Sequence, residues 1–201
     1  MHARVVTFQL HPGKTEEAVR IYRDSIVPAA KQQPGFKGAR LLTDSNTGKG
    51  ISISLWETEA DLKAGETSGY YQEQIAKLGQ VLAFSPTREG YEVSIQETQQ
   101  GGAGTYARVL TTTVQSGKMD EGMQIVRDSA LPAARQQPGF RGWLWLIDRS
   151  TGKSMTITFW ATEADLLAGE TSGYYQAQIA KVAHVLATPV LREAYEVVLQ
   201  V

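Results

Sequence analysis

The stretch WETEADLKAGETSGYYQ at residues 56–72 returns as WATEADLLAGETSGYYQ at residues 160–176, displaced by 104 positions. The same displacement aligns residues 3–97 with residues 107–201 without a gap, and roughly 54 of the 95 aligned positions are identical, a self-similarity that bears on every later inference. A repeat of this length has the size of a whole domain rather than of a solenoid unit. The chain is therefore predicted to contain one domain twice.

The boundaries of the two copies follow from a change in composition. The segment ETQQGGAGT at residues 97–105 is polar and glycine-rich, which is typical of a flexible linker. We predict a first copy at residues 1–97, a linker at 98–105 and a second copy at 106–201.

Composition restricts the partners and the compartment. The chain is 42% hydrophobic and 20% charged with a formal net charge of −1, which is typical of a globular protein and indicates no basic surface for nucleic acid. No apolar run approaches the length of a membrane span, and MHARVVTFQL lacks the pattern of a secretion signal. Cysteine is absent and histidine occurs three times, so we predict a cytoplasmic protein without a metal site and without nucleic-acid or membrane partners.

Each copy contains six predicted elements. Runs rich in β-branched and aromatic residues predict strands, helical spacing of apolar residues predicts helices, and Pro28 predicts a kink. In the first copy these are a strand at 3–10, a helix at 14–32, strands at 38–44 and 50–56, a helical region at 58–83 that is broken near 65–69, and a strand at 88–96. Gly48 of the TGK motif is expected in a left-handed conformation in the hairpin loop, and Thr58 is expected to cap the second helical region with Asp61 as its capping-box partner. The order β-α-β-β-α-β is that of a ferredoxin-like unit, so the predicted fold class is α+β.

The third strand of the unit has two different faces. Ile51, Ile53 and Leu55 share one face, and Ser52, Ser54 and Trp56 share the other. We expect the purely apolar face to pack under the two helices, which leaves a tryptophan-bearing face in need of a partner. The second copy would supply that partner, so we predict an internal pseudo-dimer with its two units packed sheet to sheet. Further association into homo-oligomers is left open.

A set of motifs in each copy resembles a known family. The first copy contains PGFKG at 34–38, Asp44, TGK at 47–49, Trp56 and TEAD at 58–61; the second contains PGFRG at 138–142, Asp148, TGK at 151–153 and Trp160. These motifs resemble the antibiotic biosynthesis monooxygenase (ABM) domain family over nearly the whole chain outside the linker. The resemblance implies a dimeric α+β barrel, closed here by the two halves of one chain. It implies no single activity, because the superfamily includes cofactor-free oxygenases, haem degraders, isomerases and proteins without known activity.

Aromatic residues supply candidates for a substrate pocket. Trp56 and Trp160 end the third strand of each copy, either as packing residues or as walls of a pocket. Trp143 and Trp145 lie on one face of the second strand of the second copy, where they either fill the core between the sheets or form an aromatic platform. Arg40, which aligns with an apolar residue of the second copy, is expected on the helix-facing side of its strand.

Tyr70 and Tyr174 are the candidate proton carriers. They lie beside the apolar stripe that Tyr71 begins on the last helix, so the phenol could reach a pocket between helix and sheet as a proton carrier or hydrogen-bond donor. The alternative is a contact at the domain interface.

Arg88 and Arg192 are the candidate anion-stabilising residues. Each begins the last strand of its copy, and a guanidinium in an apolar pocket could stabilise a phenolate or a superoxide-like anion. The alternative is a surface ion pair with the glutamate that follows each arginine.

No cofactor is predicted. The haem-degrading branch resembled here uses an asparagine on the first strand with a tryptophan and a histidine on the second helical region, and the matching helical positions hold Gly65 and Ile75 in the first copy and Gly169 and Ile179 in the second. No glycine-rich fingerprint follows a strand to open a helix, so nucleotide cofactors have no support.

Two classes of function remain. The first is a cofactor-independent monooxygenase of the ABM type, an oxidoreductase acting on a small phenolic or quinol-like compound whose deprotonated form supplies electrons to oxygen. Tyr70, Tyr174, Arg88 and Arg192 would be its catalytic residues, and Trp56, Trp160, Trp143 and Trp145 would line the pocket. The second is a protein without catalysis, either a binder of a small molecule or a structural pseudo-dimer.

Overall fold

A computed structural model describes residues 1–99 and 104–201. The chain divides into two compact units: Met1–Glu92 with Tyr195–Val201 form the first, and Val93–Ala194 form the second. The units therefore differ from the sequence copies in the ends of the last strands. Residues 100–103 of the predicted linker lie outside the described residues, whereas Thr98 is the last residue of a strand.

Eight strands follow the order expected from the repeat. They are β1 His2–Gln9, β2 Phe36–Thr43, β3 Lys49–Trp56, β4 Thr87–Thr98, β5 Tyr106–Thr113, β6 Phe140–Ile147, β7 Lys153–Trp160 and β8 Leu191–Gln200. Hydrogen bonds connect the strands of the first unit in the order β4-β1-β3-β2-β8 and those of the second in the order β8-β5-β7-β6-β4. β4 and β8 end both orders, so the strand order is closed.

Helices follow the first and third strands of each repeat. In the first unit they are α1 Thr15–Ile21, α2 Val27–Lys31, α3 Glu59–Thr67 and α4 Tyr70–Lys77; in the second they are α5 Met119–Ile125, α6 Leu131–Arg135, α7 Glu163–Thr171 and α8 Tyr174–Val182. The predicted fold class, α+β with two ferredoxin-like units, is confirmed. No helix within residues 1–99 and 104–201 is both long and apolar enough to cross a membrane.

The interruption predicted at Pro28 is a π-helical segment. It covers Tyr22–Ile26, between α1 and α2, and Val126–Ala130 repeats it between α5 and α6. Proline has no backbone N–H and its ring collides with the carbonyl four residues earlier, so the helix widens before Pro28 and continues after it.

Glycines end the hairpin loop and divide the second helical region. Gly48 has a φ of 73° and its amide donates to the carbonyl of Asp44 at 2.8 Å, as the TGK motif predicts. Gly69, with a φ of 84°, separates α3 from α4. Thr58 caps α3 and forms a capping box with Asp61, which confirms the predicted start of this helix. The α-helix α4 ends at Lys77, earlier than the predicted end at residue 83.

The expected orientation of β3 is wrong. Ser52, Ser54 and Trp56 line the space under the helices, and the hydroxyl of Tyr22 lies 2.8 Å from the Ser52 hydroxyl. The apolar residues of β3 are buried on the opposite face. Because both faces are covered, alternation of serine with isoleucine does not reveal which face the helices cover. The serine hydroxyls are satisfied by neighbouring side chains, so their burial costs little.

Two further placements on β2 and β6 need correction. Arg40 lies opposite Ile53 in the β2–β3 ladder, and opposed residues share a face, so Arg40 points away from the helices. Trp143 and Trp145 share a face, as predicted, and Trp160 lies on the same side of the sheet. They pack among helical residues of the second unit rather than in a core between two sheets, for the same reason that β3 was misassigned.

Candidate functional site

Each unit contains a cavity between its sheet and its helices. The first cavity measures about 70 Å³ and the second about 90 Å³. Mainly apolar side chains from β1, β2, β3 and the helices line the first, and equivalent elements of the second unit line the second. A small number of polar groups in such a setting is typical of a ligand site.

A buried arginine lines each cavity. Arg4, on β1, is 4% exposed, and Arg108, on β5, is 2% exposed. Arginine remains protonated in proteins, so each cavity has a cation in its wall. Burial lowers the pKa of both arginines, and the neighbouring glutamates Glu66 and Glu170 act in the opposite direction.

The same three contacts hold each guanidinium in place. Arg4 Nη2 donates to the carbonyl oxygen of Leu62 at 2.5 Å, and Nε donates to Glu66 at 3.3 Å. The guanidinium carbon lies 5.2 Å from the centre of the Trp56 ring, within the range of a cation–π interaction. Arg108 repeats these contacts with Leu166, Glu170 and Trp160 at the same distances.

One nitrogen of each guanidinium remains available. Within the described residues, Nη1 of Arg4 and Nη1 of Arg108 make no hydrogen bond, although both side chains line their cavities. A buried cation with an open donor in an apolar wall favours a ligand that carries an anionic or strongly accepting oxygen.

The predicted arginines lie outside the cavities. Arg88 is 36% exposed, and its Nη2 lies 3.4 Å from Glu66 rather than next to a substrate. Arg192 makes the corresponding ion pair with Glu170 and is 40% exposed. Neither residue lines a cavity. Their partner is a helical glutamate, not the adjacent one that the sequence suggested as the alternative.

The ring of Tyr71 lies close to both the buried Arg4 and the more exposed Arg88. The ring centre lies 5.3 Å from the guanidinium of Arg4 and 4.7 Å from that of Arg88. In the second unit Tyr175 lies 5.2 Å from Arg108. Tyr71 and Tyr175 line the cavities, so this ring gives the arginine on the last strand a route by which it can affect a bound ligand.

The predicted tyrosines do reach the cavities. Tyr70 lines the first and Tyr174 lines the second, and both rings are partly buried. Burial raises the pKa of Tyr70, and it raises the pKa of Tyr174 to about 12, while the nearby arginines act in the opposite direction. Both phenols are therefore neutral near pH 7 and suited to donating a hydrogen bond rather than to removing a proton.

The four tryptophans differ in their relation to the cavities. Trp56 lines the first cavity and Trp143 the second, whereas Trp160 and Trp145 line neither. The Trp160 indole donates to Thr158 at 3.0 Å and the Trp145 indole donates to Ser154 at 2.7 Å. Trp56 and Trp160 each meet a phenylalanine edge to face, at 5.7 and 5.8 Å between ring centres.

Gly65 explains how Tyr70 and Arg4 approach the same point. A Cβ added at Gly65 would lie 3.3 Å from the Tyr70 ring and 3.5 Å from Arg4 Nη2. Gly169 has the same surroundings in the second unit. The space that a tryptophan would need at this position in a haem-degrading site is occupied by the arginine and the tyrosine.

Sequence reasoning missed Arg4 and Arg108. The signal was present, because both copies contain Ala-Arg-Val near the start of the first strand, and a charged residue amid buried strand residues is uncommon. Both arginines alternate with Ala3 and Ala107, which are buried on the other face. A charge on a strand whose two faces are both covered indicates a buried ion pair or a ligand site.

Neither cavity has an obvious base in its wall. No aspartate, glutamate or histidine from residues 1–99 and 104–201 lines either one. The nearest carboxylates, Glu66 and Glu170, already bind two arginines each. A ligand that must lose a proton would therefore find no carboxylate among these lining residues to accept it.

The sequence of the first copy identifies its relatives. Residues 1–77 match the family model of the antibiotic biosynthesis monooxygenases. The resemblance seen in the ABM motifs is confirmed. The second copy shares those motifs through the internal repeat.

Two curated relatives come from Mycobacterium tuberculosis H37Rv, and both are uncharacterized proteins. One is 25% identical over 161 residues, which cover 78% of this chain and 69% of that protein. The other is 23% identical over 150 residues, which cover 74% of this chain and 62% of that protein.

Solved structures with the same fold include proteins described as oxidising enzymes or similar to them. A candidate monooxygenase from Fusobacterium nucleatum has a TM-score of 0.77 at 12% identity, covering 99% of this chain and 93% of that one. An anthrone oxidase-like protein has a TM-score of 0.73 at 16% identity, covering 100% and 92%. The haem-degrading enzyme LmHde of Listeria monocytogenes has a TM-score of 0.57 at 9% identity, covering 98% and 99%. At these identities the similarity shows the fold alone.

Proposed function

We propose that the protein is a cofactor-independent monooxygenase of the ABM type that oxidises a small phenolic or quinol-like compound. The observation that carries the proposal is the buried guanidinium of Arg4 in the wall of an apolar, aromatic cavity. The ABM match of the first copy and the monooxygenase-like proteins of the same fold support this class of reaction.

The reaction requires only the substrate and molecular oxygen. For an anthrone-like phenol, a ring methylene group becomes a carbonyl group: one atom of O₂ enters the carbon, and the other leaves as water with the two hydrogens of that carbon. The electrons come from the substrate, which is most reactive as its anion. The protein must therefore stabilise a phenolate-like oxygen and exclude bulk water.

Different side chains of the first cavity would stabilise the anion, donate a hydrogen bond and position the ring. Arg4 would hold the anionic oxygen through Nη1, and Tyr70, neutral near pH 7, would donate a second hydrogen bond. Trp56 and the apolar side chains would position the ring. Arg88 would act through Tyr71 and Glu66 as a positioning residue, which revises the direct role expected from the sequence. Because no carboxylate or histidine of the described residues lines the cavity, the substrate should be acidic enough to enter as an anion.

The remaining parts of the proposal concern partners and compartment. A small aromatic molecule is the proposed ligand, with no nucleic-acid, membrane, metal or cofactor partner. The absence of cysteine and the near-neutral charge are consistent with a cytoplasmic protein.

Oxygen uptake tests the proposal directly. Metal-stripped protein without added cofactor is mixed with a panel of quinols and anthrone-like phenols at pH values around each substrate's pKa. We expect oxygen consumption above the buffer rate that saturates with substrate and follows the fraction of anion. The double variant Tyr70→Phe, Tyr174→Phe should lower the rate. No saturable uptake with any member of the panel would contradict the monooxygenase proposal.

A non-catalytic binder is the second candidate. The observation in its favour is the lack of a base in either cavity wall, combined with tyrosines whose pKa values are raised by burial. Saturable binding of the same phenols without oxygen uptake would support this candidate.

A further inference from the structure

The two cavities are made from equivalent positions with compensating changes in size. On β1 and the first helical region, large residues of the first unit are replaced by small ones in the second: Phe8 by Thr112, Tyr22 by Val126 and Ile26 by Ala130. On the second strand of each copy the change is the reverse: Ala39 is replaced by Trp143 and Leu41 by Trp145. All of these residues except Trp145 line the cavity of their own unit.

The tryptophans of β6 fill the space that is open in the first unit. Ala30, Phe36 and Trp56 line the first cavity, but their counterparts Ala134, Phe140 and Trp160 do not line the second. Those counterparts belong instead to a continuous core cluster that includes Trp143 and Trp145. The region beside the strand-end tryptophan is therefore open in the first unit and packed in the second.

Near the end of the first strand of each unit, the larger residue is in the first unit. Phe8 covers Gly50 in the first unit, where an added Cβ would lie 2.2 Å from its ring. The second unit has Thr112 and Ser154 at these positions, and Ser154 instead accepts a hydrogen bond from Trp145. Every residue that lines the second cavity has a counterpart in the wall of the first, so the second cavity keeps the part beside Arg108 and lacks the part beside the strand-end tryptophan.

The walls of the two cavities also differ in chemistry. Six aromatic residues line the first cavity: Phe8, Tyr22, Phe36, Trp56, Tyr70 and Tyr71. Three line the second: Trp143, Tyr174 and Tyr175. Its remaining wall is aliphatic, with threonines at three positions on the strands, Thr112, Thr156 and Thr158. A flat ring packs best against aromatic walls, and a short flexible chain fits an aliphatic wall better.

We infer that only the first unit has a site for an aromatic ring, and that Ala39 and Trp143 decide this difference. A ring beside Trp56 and Arg4 has room because position 39 is alanine, and the same ring beside Trp160 and Arg108 would collide with Trp143. The second cavity, of about 90 Å³, extends away from Trp160 and is expected to take a short apolar chain instead of a ring. The inference rests on the proposed function only for the class of ligand, because it concerns binding and not turnover.

Binding stoichiometry under anaerobic conditions tests the inference. Isothermal titration with 2-naphthol, a fused aromatic ring with one hydroxyl, is carried out on the full chain. We expect one ring bound per chain in the wild type. Ala39→Trp should weaken binding at least tenfold, and Trp143→Ala should raise the stoichiometry to two.

Matched variants distinguish a loss of binding caused by a filled site from a loss caused by misfolding. Near-ultraviolet circular dichroism and thermal unfolding check each variant, and Lys37→Trp, which adds a tryptophan at an exposed position of the same strand outside the cavity, should bind as the wild type does. If Trp143→Ala disturbs the fold, the variant Trp143→Ala, Trp145→Leu reproduces both residues of the first unit and should bind two rings. Two rings in the wild type, no binding in the wild type, or no gain in either variant of the second unit would overturn the inference. A chain that binds one ring but consumes no oxygen would contradict the proposed function and leave the inference standing.

Discussion

The two units keep the same charged residues and differ in the space around them. Arg4 and Arg108 have the same hydrogen bonds and lie at the same distance from a tryptophan ring. The cavities next to them nevertheless have different walls, because large and small residues exchange places at five positions. The comparison shows that a retained polar constellation does not by itself indicate a retained binding site.

The largest expected effect is a difference in activity between variants of the two buried arginines. Arg4→Met should lower kcat/KM for oxygen uptake by about 10²–10³-fold, because it removes a cation directed at the charge of the substrate. Arg108→Met removes the same contacts beside the cavity lined by Trp143, where we infer that no ring binds, so we expect less than about a twofold change. Michaelis–Menten kinetics on both variants measure this difference.

Thermal unfolding is the control for the arginine variants. Both remove a buried guanidinium with the same partners and keep most of its apolar stem, so both should lose similar stability. Equal loss of activity in the two variants would contradict a single active unit.

Tyr22 gives the next largest difference, which appears at high pH. Burial raises the pKa of Tyr22 to about 12, only partly offset by the Ser52 hydrogen bond, whereas the second unit has Val126 at this position. The unfolded phenol ionises near pH 10, so its contribution to the free energy of unfolding is complete below pH 10 and is lost as the pH rises towards 12, at about 1.4 kcal/mol per pH unit.

Tyr22→Phe should remove that part of the pH dependence. Urea denaturation between pH 9 and 11.5 would show the wild-type stability falling more steeply than that of the variant, with a difference of about 2 kcal/mol building up over this range. Val126→Ala serves as the control in the second unit and should leave the slope unchanged. Parallel curves for the wild type and Tyr22→Phe would contradict a neutral, buried phenol.

The smallest expected effect is a difference in stability between variants of α3 and α7, whose backbone carbonyls accept hydrogen bonds from the buried arginines. Asp61 accepts a hydrogen bond from the backbone amide of Thr58, which completes the capping box of α3. In α7 the Thr162 side chain accepts from the amide of Asp165, and the two side chains also meet. Asp61→Ala should therefore cost about 0.5 kcal/mol more than Asp165→Ala in the free energy of unfolding, measured with urea at pH 7. Equal costs would show that the reciprocal bond contributes nothing.

Local chemistry predicted most of the elements. Gly48, Gly69 and Thr58 act at the positions where the sequence predicts a turn, a break and a cap, because each role depends on a few adjacent residues. The widened turn before Pro28 follows in the same way from the missing amide of proline. Tyr70 and Tyr174 were expected at a pocket because of helical spacing alone, and both line a cavity.

Long-range geometry could not be predicted in the same way. The face of β3 under the helices depends on what covers the other face, so the serine face was assigned to the wrong side. Arg88 and Arg192 pair with glutamates of α3 and α7, far from them in sequence, and that contact keeps both arginines out of the cavities.

The sequence by itself determined that one ferredoxin-like unit occurs twice, where its helices and turns begin, and which family it resembles, because repeats, caps and glycine positions are local properties. Only the tertiary structure decided that Arg4 and Arg108 lie in cavity walls and that Trp143 occupies the space left open beside Ala39. Burial and cavity volume arise from residues far apart along the chain, and no local pattern records how their side chains share the space.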